Sequence, residues 1–302
     1  MTARLALLFP GQGSQFVGMG RQLHEESPAA RAVFEEADAV LGFPLSRLCF
    51  EGPEEELKLT ANTQPAILTH SVAAFRDLEN RNPNRLEGVV SAAGHSLGEY
   101  SAEVAAGSLS FADALRLVRA RGHFMQEAVA PGVGAMAAIL GLAPEQVQSA
   151  CDQAAQGEVV APANFNSPEQ TVIAGHAGAV ARASEICRSR GAKRAIPLPV
   201  SAPFHCALMA PARERMRPLL EETPFADPIW PIVTNADAVS RARGSELRDA
   251  LVRQVDSPVR WVESVRELAR EGVNRALEIG PGNVLTGLAR RIEKGIAVES
   301  YG

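Results

Sequence analysis

The chain has 302 residues, of which 46% are hydrophobic and 22% charged, and its formal net charge is -5. A chain of this length is expected to bury one large core and a smaller second one. The net negative charge offers no overall attraction to nucleic acid or to anionic lipid, so we expect neither a nucleic-acid nor a membrane partner.

The first predicted element is a buried strand, Leu5 to Phe9, whose unbroken apolar run is typical of a parallel sheet covered on both faces. The run is too short for a signal peptide or a membrane span. It leads into a glycine-rich turn at 10–15, and helical patterns follow at about 30–40 and 66–80. The four cysteines are widely separated and never form CxxC, which predicts neither a zinc site nor a disulfide framework and favours a cytoplasmic location.

A second buried strand, 88–93, runs into the sequence Gly94-His95-Ser96-Leu97-Gly98, and a helix is predicted from about Leu97. This is the pattern G-x-S-x-G in the strand-turn-helix setting that the motif needs. In that setting the serine hydroxyl is exposed at the carboxyl end of the strand, and the next N–H lies at a helix N-terminus where an oxyanion can be stabilised. The sequence therefore predicts a nucleophile at Ser96, the alternative being an ordinary turn.

The next predicted helix, 111–128, carries an arginine on its apolar stripe. Ala114, Val118 and Met125 recur at helical spacing, and Arg121 falls on the same face. A guanidinium on an inward face must find an anion. That anion is either an acidic side chain of the protein or a substrate carboxylate held in a bidentate clamp, and the position one helix beyond Ser96 favours the clamp.

From about residue 134 the predicted order is strand, helix, two strands, helix, strand, which is the order of a ferredoxin-like unit. The elements are predicted at 134–140, 143–155, 158–165, 170–174, 176–190 and 194–200. Strand and helix patterns then return at 231–235, 244–254, 262–271 and 275–279. We predict an α/β fold with a larger α/β domain, residues 1–130 and 198–302, and an inserted ferredoxin-like subdomain, residues 131–197.

A nucleophilic serine needs a base, and the strongest candidate among six histidines is His205. It follows the last strand of the insertion and a turn set by Pro203, as expected for a catalytic residue at a sheet edge, the alternative being a core or capping histidine. His24 and His70 lie in helical stretches and are interpreted as surface or capping residues. No histidine follows His205, whereas an ordinary α/β-hydrolase places its histidine last, so a lipase or esterase of that class is disfavoured.

Other cofactor signals are weak. Gly11-Gln12-Gly13 lacks the third glycine of a dinucleotide fingerprint, and the sequence contains neither a P-loop nor HExxH. We therefore expect no cofactor and no metal.

Six blocks of sequence together resemble one family, malonyl-CoA:acyl-carrier-protein transacylase of fatty acid and polyketide synthesis. They occur in the family's order over nearly the whole chain, as Phe9-Pro10-Gly11-Gln12-Gly13-Ser14-Gln15, Gly94-His95-Ser96-Leu97-Gly98-Glu99-Tyr100, Arg121-Gly122 with Met125-Gln126, Asn164-Phe165-Asn166-Ser167-Pro168, Pro203-Phe204-His205 and Glu278-Ile279-Gly280-Pro281-Gly282. The resemblance implies an α/β-hydrolase-like large domain with a mainly parallel sheet and a ferredoxin-like small one.

The resemblance also implies a reaction. Ser96 would be acylated by malonyl-CoA and deacylated by the phosphopantetheine thiol of acyl carrier protein, in a ping-pong course. Arg121 would bind the malonyl carboxylate, and His205 would be the base. The remaining implied roles are oxyanion binding by the backbone N–H groups of Gln12 and Leu97, support of the histidine by the carbonyl of Gln254, and substrate contact by Phe204, Met125 and Asn166.

Phe204 departs from some bacterial members, which have a small residue there. In related polyketide acyltransferases phenylalanine at this place goes with malonyl selection, and a ring can fill the space that an α-methyl group needs. The alternatives are an acyltransferase for another extender unit, a thioester hydrolase with the same Ser-His pair, and a noncatalytic carrier-docking module. We expect a monomer, with a basic rim for the acidic carrier drawn from Lys193 with Arg194, Arg213/Arg215/Arg217 and Arg290/Arg291.

Overall fold

A computed structural model of the protein describes residues 4–200 and 202–302. The first elements in chain order are β1 (Leu5–Phe9), α1 (Arg21–Glu26), α2 (Pro28–Leu41), α3 (Leu45–Glu51), α4 (Glu54–Leu57), α5 (Thr60–Arg81), β2 (Val89–Gly94), α6 (Gly98–Ala105) and α7 (Phe111–Glu127). The next are β3 (Gly134–Leu140), α8 (Pro144–Ala155), β4 (Val160–Ser167), β5 (Gln170–His176), α9 (Ala177–Ser189) and β6 (Arg194–Pro197). The last are α10 (Ala210–Glu222), β7 (Ile232–Val233), β8 (Ser240–Arg241), α11 (Gly244–Gln254), α12 (Trp261–Arg270), β9 (Arg275–Ile279), α13 (Val284–Ile292) and β10 (Ala297–Tyr301). Short 3-10 helices lie at Pro83–Leu86 and Ala207–Met209.

The larger sheet has the strand order β10-β9-β1-β2-β7-β8 and is parallel except for the antiparallel pair β7 and β8. Its central strand β1 is buried along its whole length, as its apolar run predicts. Phe9 at the end of β1 is in register with Gly94 at the end of β2. The turns that follow these two strands therefore leave the same edge of the sheet, one carrying Gln12 and the other Ser96.

The smaller sheet has the strand order β4-β5-β3-β6, and every pair in it is antiparallel. Helices α8 and α9 pack on it around a separate apolar core that includes Ile139, Val147, Ile173 and Val180. Counted along the unit, the spatial order of the strands is 2-3-1-4, which is the ferredoxin-like arrangement that the predicted element order indicates. The chain thus has the predicted α/β fold class, with a mainly parallel sheet and helices.

The small sheet contacts the rest of the chain at β4, through the segment between α11 and α12. The N–H of Phe165 donates to the carbonyl of Val259 at 2.9 Å, and the N–H of Val259 donates to the carbonyl of Ala163 at 2.8 Å. Asn166, also on β4, accepts a hydrogen bond at 2.8 Å on Oδ1 from Nε2 of His95, the residue before Ser96. The small sheet therefore lies against the turn that carries Ser96.

The two largest differences between predicted and observed boundaries have physical reasons. Helix α5 begins at Thr60 rather than near residue 66 and continues through Pro65, because it is buried on nearly every side and tertiary packing outweighs the helix-breaking tendency of proline. Strand β6 ends at Pro197 rather than at Val200, because Pro197 and Pro199 lack the N–H needed to extend the ladder. Neither α5 nor any other helix within the described residues is both long and apolar enough to cross a membrane.

Candidate active site

Ser96 lies in a tight turn between β2 and α6, in the left-handed region of backbone conformation with φ of 51°. Glycines on either side make this turn possible. A Cβ at Gly94 would lie 1.9 Å from the carbonyl carbon of Gly98, and a Cβ at Gly98 would lie 2.0 Å from the carbonyl oxygen of Phe9. The turn therefore has the strained geometry of a nucleophile elbow, which presents the serine hydroxyl at the carboxyl edge of the sheet.

The hydroxyl oxygen of Ser96 lies 2.7 Å from Nε2 of His205. The other ring nitrogen, Nδ1, lies 3.0 Å from the main-chain oxygen of Gln254. Because a carbonyl only accepts hydrogen bonds, Nδ1 carries the proton and Nε2 presents its lone pair to Ser96. Burial, followed by the positive charge of Arg121, lowers the pKa of His205 to about 3, so the imidazole is neutral near pH 7 and able to accept a proton.

Arg121 is 1% exposed and points from α7 into the site, as its place on the apolar stripe predicts. Its guanidinium donates to Oε1 of Gln64 at 2.7 Å, to Oε1 of Gln254 at 2.8 Å and to Oγ of Ser96 at 3.1 Å. These partners are neutral oxygens, and within the described residues Arg121 forms no salt bridge with Asp or Glu. A buried cation held this way retains an unsatisfied attraction for an incoming anion.

A cavity of about 110 Å³ joins these groups. Its described lining consists of Gln12, Gln64, His95, Ser96, Arg121, Met125, Met136, Asn164, Leu198, Val200, Phe204 and His205. Of the residues predicted to contact substrate, Gln12, Met125 and Phe204 are in this lining. Asn166 is not, because its side chain is turned toward His95, and its neighbour Asn164 takes the place at the cavity wall.

The predicted oxyanion donors occupy the two turns at the edge of the sheet. Leu97 immediately precedes α6, and Gln12 lies in the turn after β1. Over residues 4–200 and 202–302, neither main-chain N–H donates to another protein atom. Both groups are therefore available to an oxygen anion near Ser96.

The structure adds polar residues that sequence reasoning did not identify. Asn235 accepts a hydrogen bond from the N–H of Ser96 at 2.6 Å and donates to the carbonyl of Gly94 at 2.6 Å. Gln64 contacts Arg121 from the buried helix α5. Asn235 could have been found, because it lies just past Thr234 after the short buried strand β7, at the same sheet edge as Ser96. Gln64 carries no such signal.

The remaining histidines are not bases for Ser96. His95 packs against Trp261 with ring centroids 5.6 Å apart and is bonded to Asn166. His123 is exposed, and His176 accepts a hydrogen bond from the N–H of Val159 at 2.9 Å. The interpretation of His70 as a surface or capping residue is wrong, because it is 2% exposed inside α5 and burial lowers its pKa to about 4.

The basic side chains proposed as a rim divide into two groups. Arg213, Arg215 and Arg217 are paired with acids of the protein, Arg213 with Asp256 at 2.7 Å, for example. Lys193, Arg290 and Arg291 line one groove together with Lys294, beside the turn Ser167–Gln170, and of these four Lys193 is paired with Glu169 at 3.7 Å. This turn directly follows Asn166, whose side chain is bonded to His95, the residue before Ser96.

Within the described residues, no group of three or more His, Cys, Asp or Glu side chains is arranged to hold a metal ion. The four cysteines are free thiols and are buried. Burial raises the pKa of Cys49 to about 12 and that of Cys206 to about 11.

The sequence of this chain is similar to those of known acyl transferases. The family model described as "Acyl transferase domain" matches residues 6–298. The malonyl CoA-acyl carrier protein transacylase of Escherichia coli K12 is 52% identical over 289 residues, which cover 96% of this chain and 93% of that protein. The protein of the same name from Bacillus subtilis is 48% identical over 295 residues, which cover 97% of this chain and 91% of that protein.

The fold is also similar to that of solved malonyl transferases. An acyl carrier protein S-malonyltransferase from Vibrio cholerae superposes with a TM-score of 0.95 at 49% identity, covering 99% of this chain and 96% of that one. A malonyl-transacylase solved in complex with its type II PKS acyl-carrier protein has a TM-score of 0.95 at 48% identity, with the same coverage of 99% and 96%.

Proposed function

The chain belongs to the acyl transferase family, and we propose that it transfers a malonyl group from malonyl-CoA to the phosphopantetheine thiol of an acyl carrier protein, in fatty acid biosynthesis. The observation that carries the proposal is the meeting of Ser96, His205 and Arg121 in one cavity. A nucleophile with its base suits acyl transfer, and a buried cation beside them suits an acyl group that ends in a carboxylate.

In the first half of the reaction Oγ of Ser96 attacks the thioester carbonyl carbon of malonyl-CoA. Nε2 of His205 takes the hydroxyl proton as the C–O bond forms. The carbonyl oxygen becomes an oxyanion, which accepts hydrogen bonds from the N–H groups of Gln12 and Leu97. The C–S bond then breaks, His205 returns the proton to the sulfur, and CoA leaves with malonate esterified to Ser96.

The second half uses the same groups in reverse. The thiol of the carrier's phosphopantetheine arm gives its proton to His205 and attacks the ester carbonyl. The bond to Oγ of Ser96 breaks and the serine is protonated again, so the malonyl group ends as a thioester on the carrier. A thioester is exchanged for a thioester, and no other energy source is needed.

Arg121 selects the acyl group by the carboxylate at the end away from the thioester. Two guanidinium nitrogens held by neutral amide oxygens can form the charged, bidentate pair with a carboxylate that an acetyl group cannot offer. Phe204, which is 8% exposed at the cavity wall, limits the space beside the α-carbon. We propose that Arg121 favours malonyl over acetyl groups and that Phe204 favours malonyl over methylmalonyl groups. The discrimination against methylmalonyl is only partial.

The carrier protein docks, in this proposal, at the basic groove of Lys193, Arg290 and Arg291. Lys193 is paired with Glu169 at 3.7 Å, but within the described residues Arg290 and Arg291 form no salt bridge and can attract an acidic carrier, whereas Arg213, Arg215 and Arg217 are paired with neighbouring acids. The small sheet contributes both to this groove, through Leu140, and to the acyl cavity, through Met136, so a long flexible arm bound at the groove could extend toward the serine.

We also propose that residues 1–130 and 198–302 act as the catalytic domain and residues 131–197 as a subdomain that closes one side of the acyl cavity. Support comes from Met136 and Asn164, which reach the cavity from the small sheet. We further propose a monomer working in the cytoplasm. Four free thiols suit a reducing compartment, and the sedimentation mass of the purified protein tests the monomer.

The test of the proposed function is the choice of acceptor. With malonyl-CoA as donor, malonyl transfer to holo acyl carrier protein is expected to exceed release of free malonate to water by a wide margin. Release of malonate at the same rate with and without the carrier would show a thioester hydrolase instead.

A further inference from the structure

Glu99 is a fully buried carboxylate in the first turn of α6, just after Ser96. Its Oε2 accepts two hydrogen bonds, from the main-chain N–H of Asn235 at 2.9 Å and from Nε2 of Gln254 at 2.9 Å. The described lining of the acyl cavity does not include Glu99. Any effect of Glu99 on the reaction must therefore pass through the residues that it holds.

Gln254 connects Glu99 to Ser96, Arg121 and His205. Its Nε2 also donates to the main-chain oxygen of Ser96 at 2.9 Å. Its Oε1 accepts from Arg121 at 2.8 Å, and its main-chain oxygen accepts from Nδ1 of His205 at 3.0 Å. The orientation of its side-chain amide therefore affects the turn of Ser96 and the guanidinium of Arg121, whereas His205 is held by its main chain.

The charge of Glu99 fixes that orientation. An ionised carboxylate and a main-chain carbonyl accept hydrogen bonds and cannot donate them, so the NH2 group of Gln254 must face Glu99 and Ser96. The amide oxygen is then left facing the guanidinium of Arg121. A flipped amide would place its NH2 group against Arg121 and its oxygen against two oxygens, which is unfavourable on both sides.

A second connection runs through Asn235. Glu99 holds its main-chain N–H, while its side-chain amide accepts from the N–H of Ser96 at 2.6 Å and donates to the carbonyl of Gly94 at 2.6 Å. The strained turn at Ser96 is thus supported by the side chains of Gln254 and Asn235, and Oε2 of Glu99 accepts from the side chain of the first and from the main-chain N–H of the second.

We propose that Glu99 is a positioning residue for acyl transfer, which holds the amide of Gln254 toward Arg121 and the amide of Asn235 toward Ser96. This inference rests on the proposed function. Glu99 touches neither substrate nor reacting atom, and it acts by keeping the turn of Ser96 and the guanidinium of Arg121 in one arrangement.

The charge state of Glu99 makes its proposed role visible as a dependence on pH. The ionisable groups that face it from its own helix and from packed elements are Tyr100, Glu103, Arg121 and Asp237. Burial raises the pKa of Glu99 to about 7, against the lowering effects of its hydrogen bonds and of Arg121. Glu99 therefore loses its charge as the pH falls through about 7, whereas His205, with a pKa of about 3, stays neutral.

The test compares Glu99→Gln with Glu103→Gln. Glu103 is equally buried one turn further along α6 and has no hydrogen-bond partner within the described chain, so the second variant controls for the loss of a buried carboxyl group. Malonyl transfer to holo carrier protein, acetyl transfer and the pH profile of both are measured, with melting temperatures to confirm folding.

Glu99→Gln is expected to slow malonyl transfer by about 10²-fold and to reduce the preference for malonyl over acetyl. It should also lose the fall in malonyl transfer that the wild type shows as the pH drops through about 7. Glu103→Gln should keep the wild-type rate, preference and profile. A Glu99→Gln variant that matches Glu103→Gln, or that keeps the wild-type pH profile at a lower rate, overturns the inference.

If Glu99→Gln does not fold, the wild-type protein decides. Its malonyl-to-acetyl ratio must fall as the pH drops through about 7, and a constant ratio overturns the inference. A wild type that transfers no malonyl group at any pH contradicts the proposed function itself, whereas an active wild type with an unaffected Glu99→Gln variant contradicts only the role of Glu99.

Discussion

The guanidinium of Arg121 lies 3.1 Å from Oγ of Ser96. In a malonyl thioester a single methylene separates the carboxylate from the carbonyl carbon that is attacked. A carboxylate held by Arg121 therefore brings that carbon close to the roughly 3 to 3.5 Å from the serine oxygen that attack requires. The contact that recognises the carboxylate would therefore also place the carbonyl carbon for attack.

Replacement of Arg121 tests the clamp. Arg121→Ala is expected to lower kcat/KM for malonyl-CoA by about 10- to 100-fold, because a charge-assisted hydrogen-bonded pair contributes about 1.5 to 3 kcal/mol. Acetyl-CoA should lose much less and so compete better. Arg116→Ala is the control, since Arg116 is an exposed residue of the same helix paired with Asp113 at 3.0 Å. An Arg121→Ala enzyme with unchanged acyl preference would show that the guanidinium does not bind the carboxylate.

Removal of the base tests the Ser-His pair. His205→Ala should slow acylation of Ser96 by about 10² or more, because general-base catalysis of this kind contributes about 10²- to 10⁴-fold. The measurement is the rate of CoA release in a single turnover. His123→Ala, which alters an exposed histidine, should leave the rate unchanged. Equal rates for the two variants would mean that His205 is not the base.

Phe204 is expected to set part of the extender-unit preference. Phe204→Ser opens the cavity wall and should raise transfer of methylmalonyl relative to malonyl groups by about 10- to 200-fold, the range available from one methyl group in a pocket. Competition between the two CoA thioesters in one reaction measures the ratio directly. If the ratio does not change, the ring of Phe204 does not limit the space at the α-carbon.

The docking groove predicts a particular salt dependence. Reversing Arg290 and Arg291 to Glu should raise KM for the carrier protein and weaken its dependence on ionic strength, because exposed charges steer association at low salt. KM for malonyl-CoA is measured alongside, to separate the two substrates. Arg213→Glu with Arg217→Glu, on the self-paired side, should leave the salt dependence of carrier turnover as it is. The opposite pattern would move the docking surface to α10.

Stability toward acid should depend on His70. Burial lowers its pKa from 6.5 to about 4, so the folded protein binds the proton less tightly than the unfolded chain. The stabilising contribution is present above 6.5 and is lost as the pH falls from 6.5 toward 4. His70→Gln should therefore show a smaller loss of melting temperature than the wild type between pH 7 and about pH 4. Parallel curves for the two proteins would assign the acid loss to other groups.

The features that could be predicted from the sequence are those that depend on neighbouring residues in the chain. The apolar run of β1, the glycines around Ser96 and the helical stripe that includes Arg121 are each set within a few turns of chain, and each takes the predicted form. The burial of His70 does not follow from its helical setting, because most helices have a solvent face and α5 has almost none.

The wider polar network could not be predicted this way. Gln254 was expected to support His205 through its carbonyl, yet its side chain also joins Glu99, Arg121 and Ser96. Asn235 and Gln64 reach the site from elements far away in the chain. Such contacts depend on how the sheet edge, α5 and α11 are brought together, and no periodicity within any one element encodes them.

The central claim is that Ser96 carries the malonyl group. The most direct measurement is peptide mass spectrometry of the protein after brief incubation with malonyl-CoA, with Ser96→Ala and with acetyl- and methylmalonyl-CoA in parallel. A malonyl ester is expected on the peptide that contains Ser96, absent from Ser96→Ala and discharged by holo acyl carrier protein, and the other two donors should acylate Ser96 less readily. No adduct on the wild type, or the same adduct on Ser96→Ala, would contradict it.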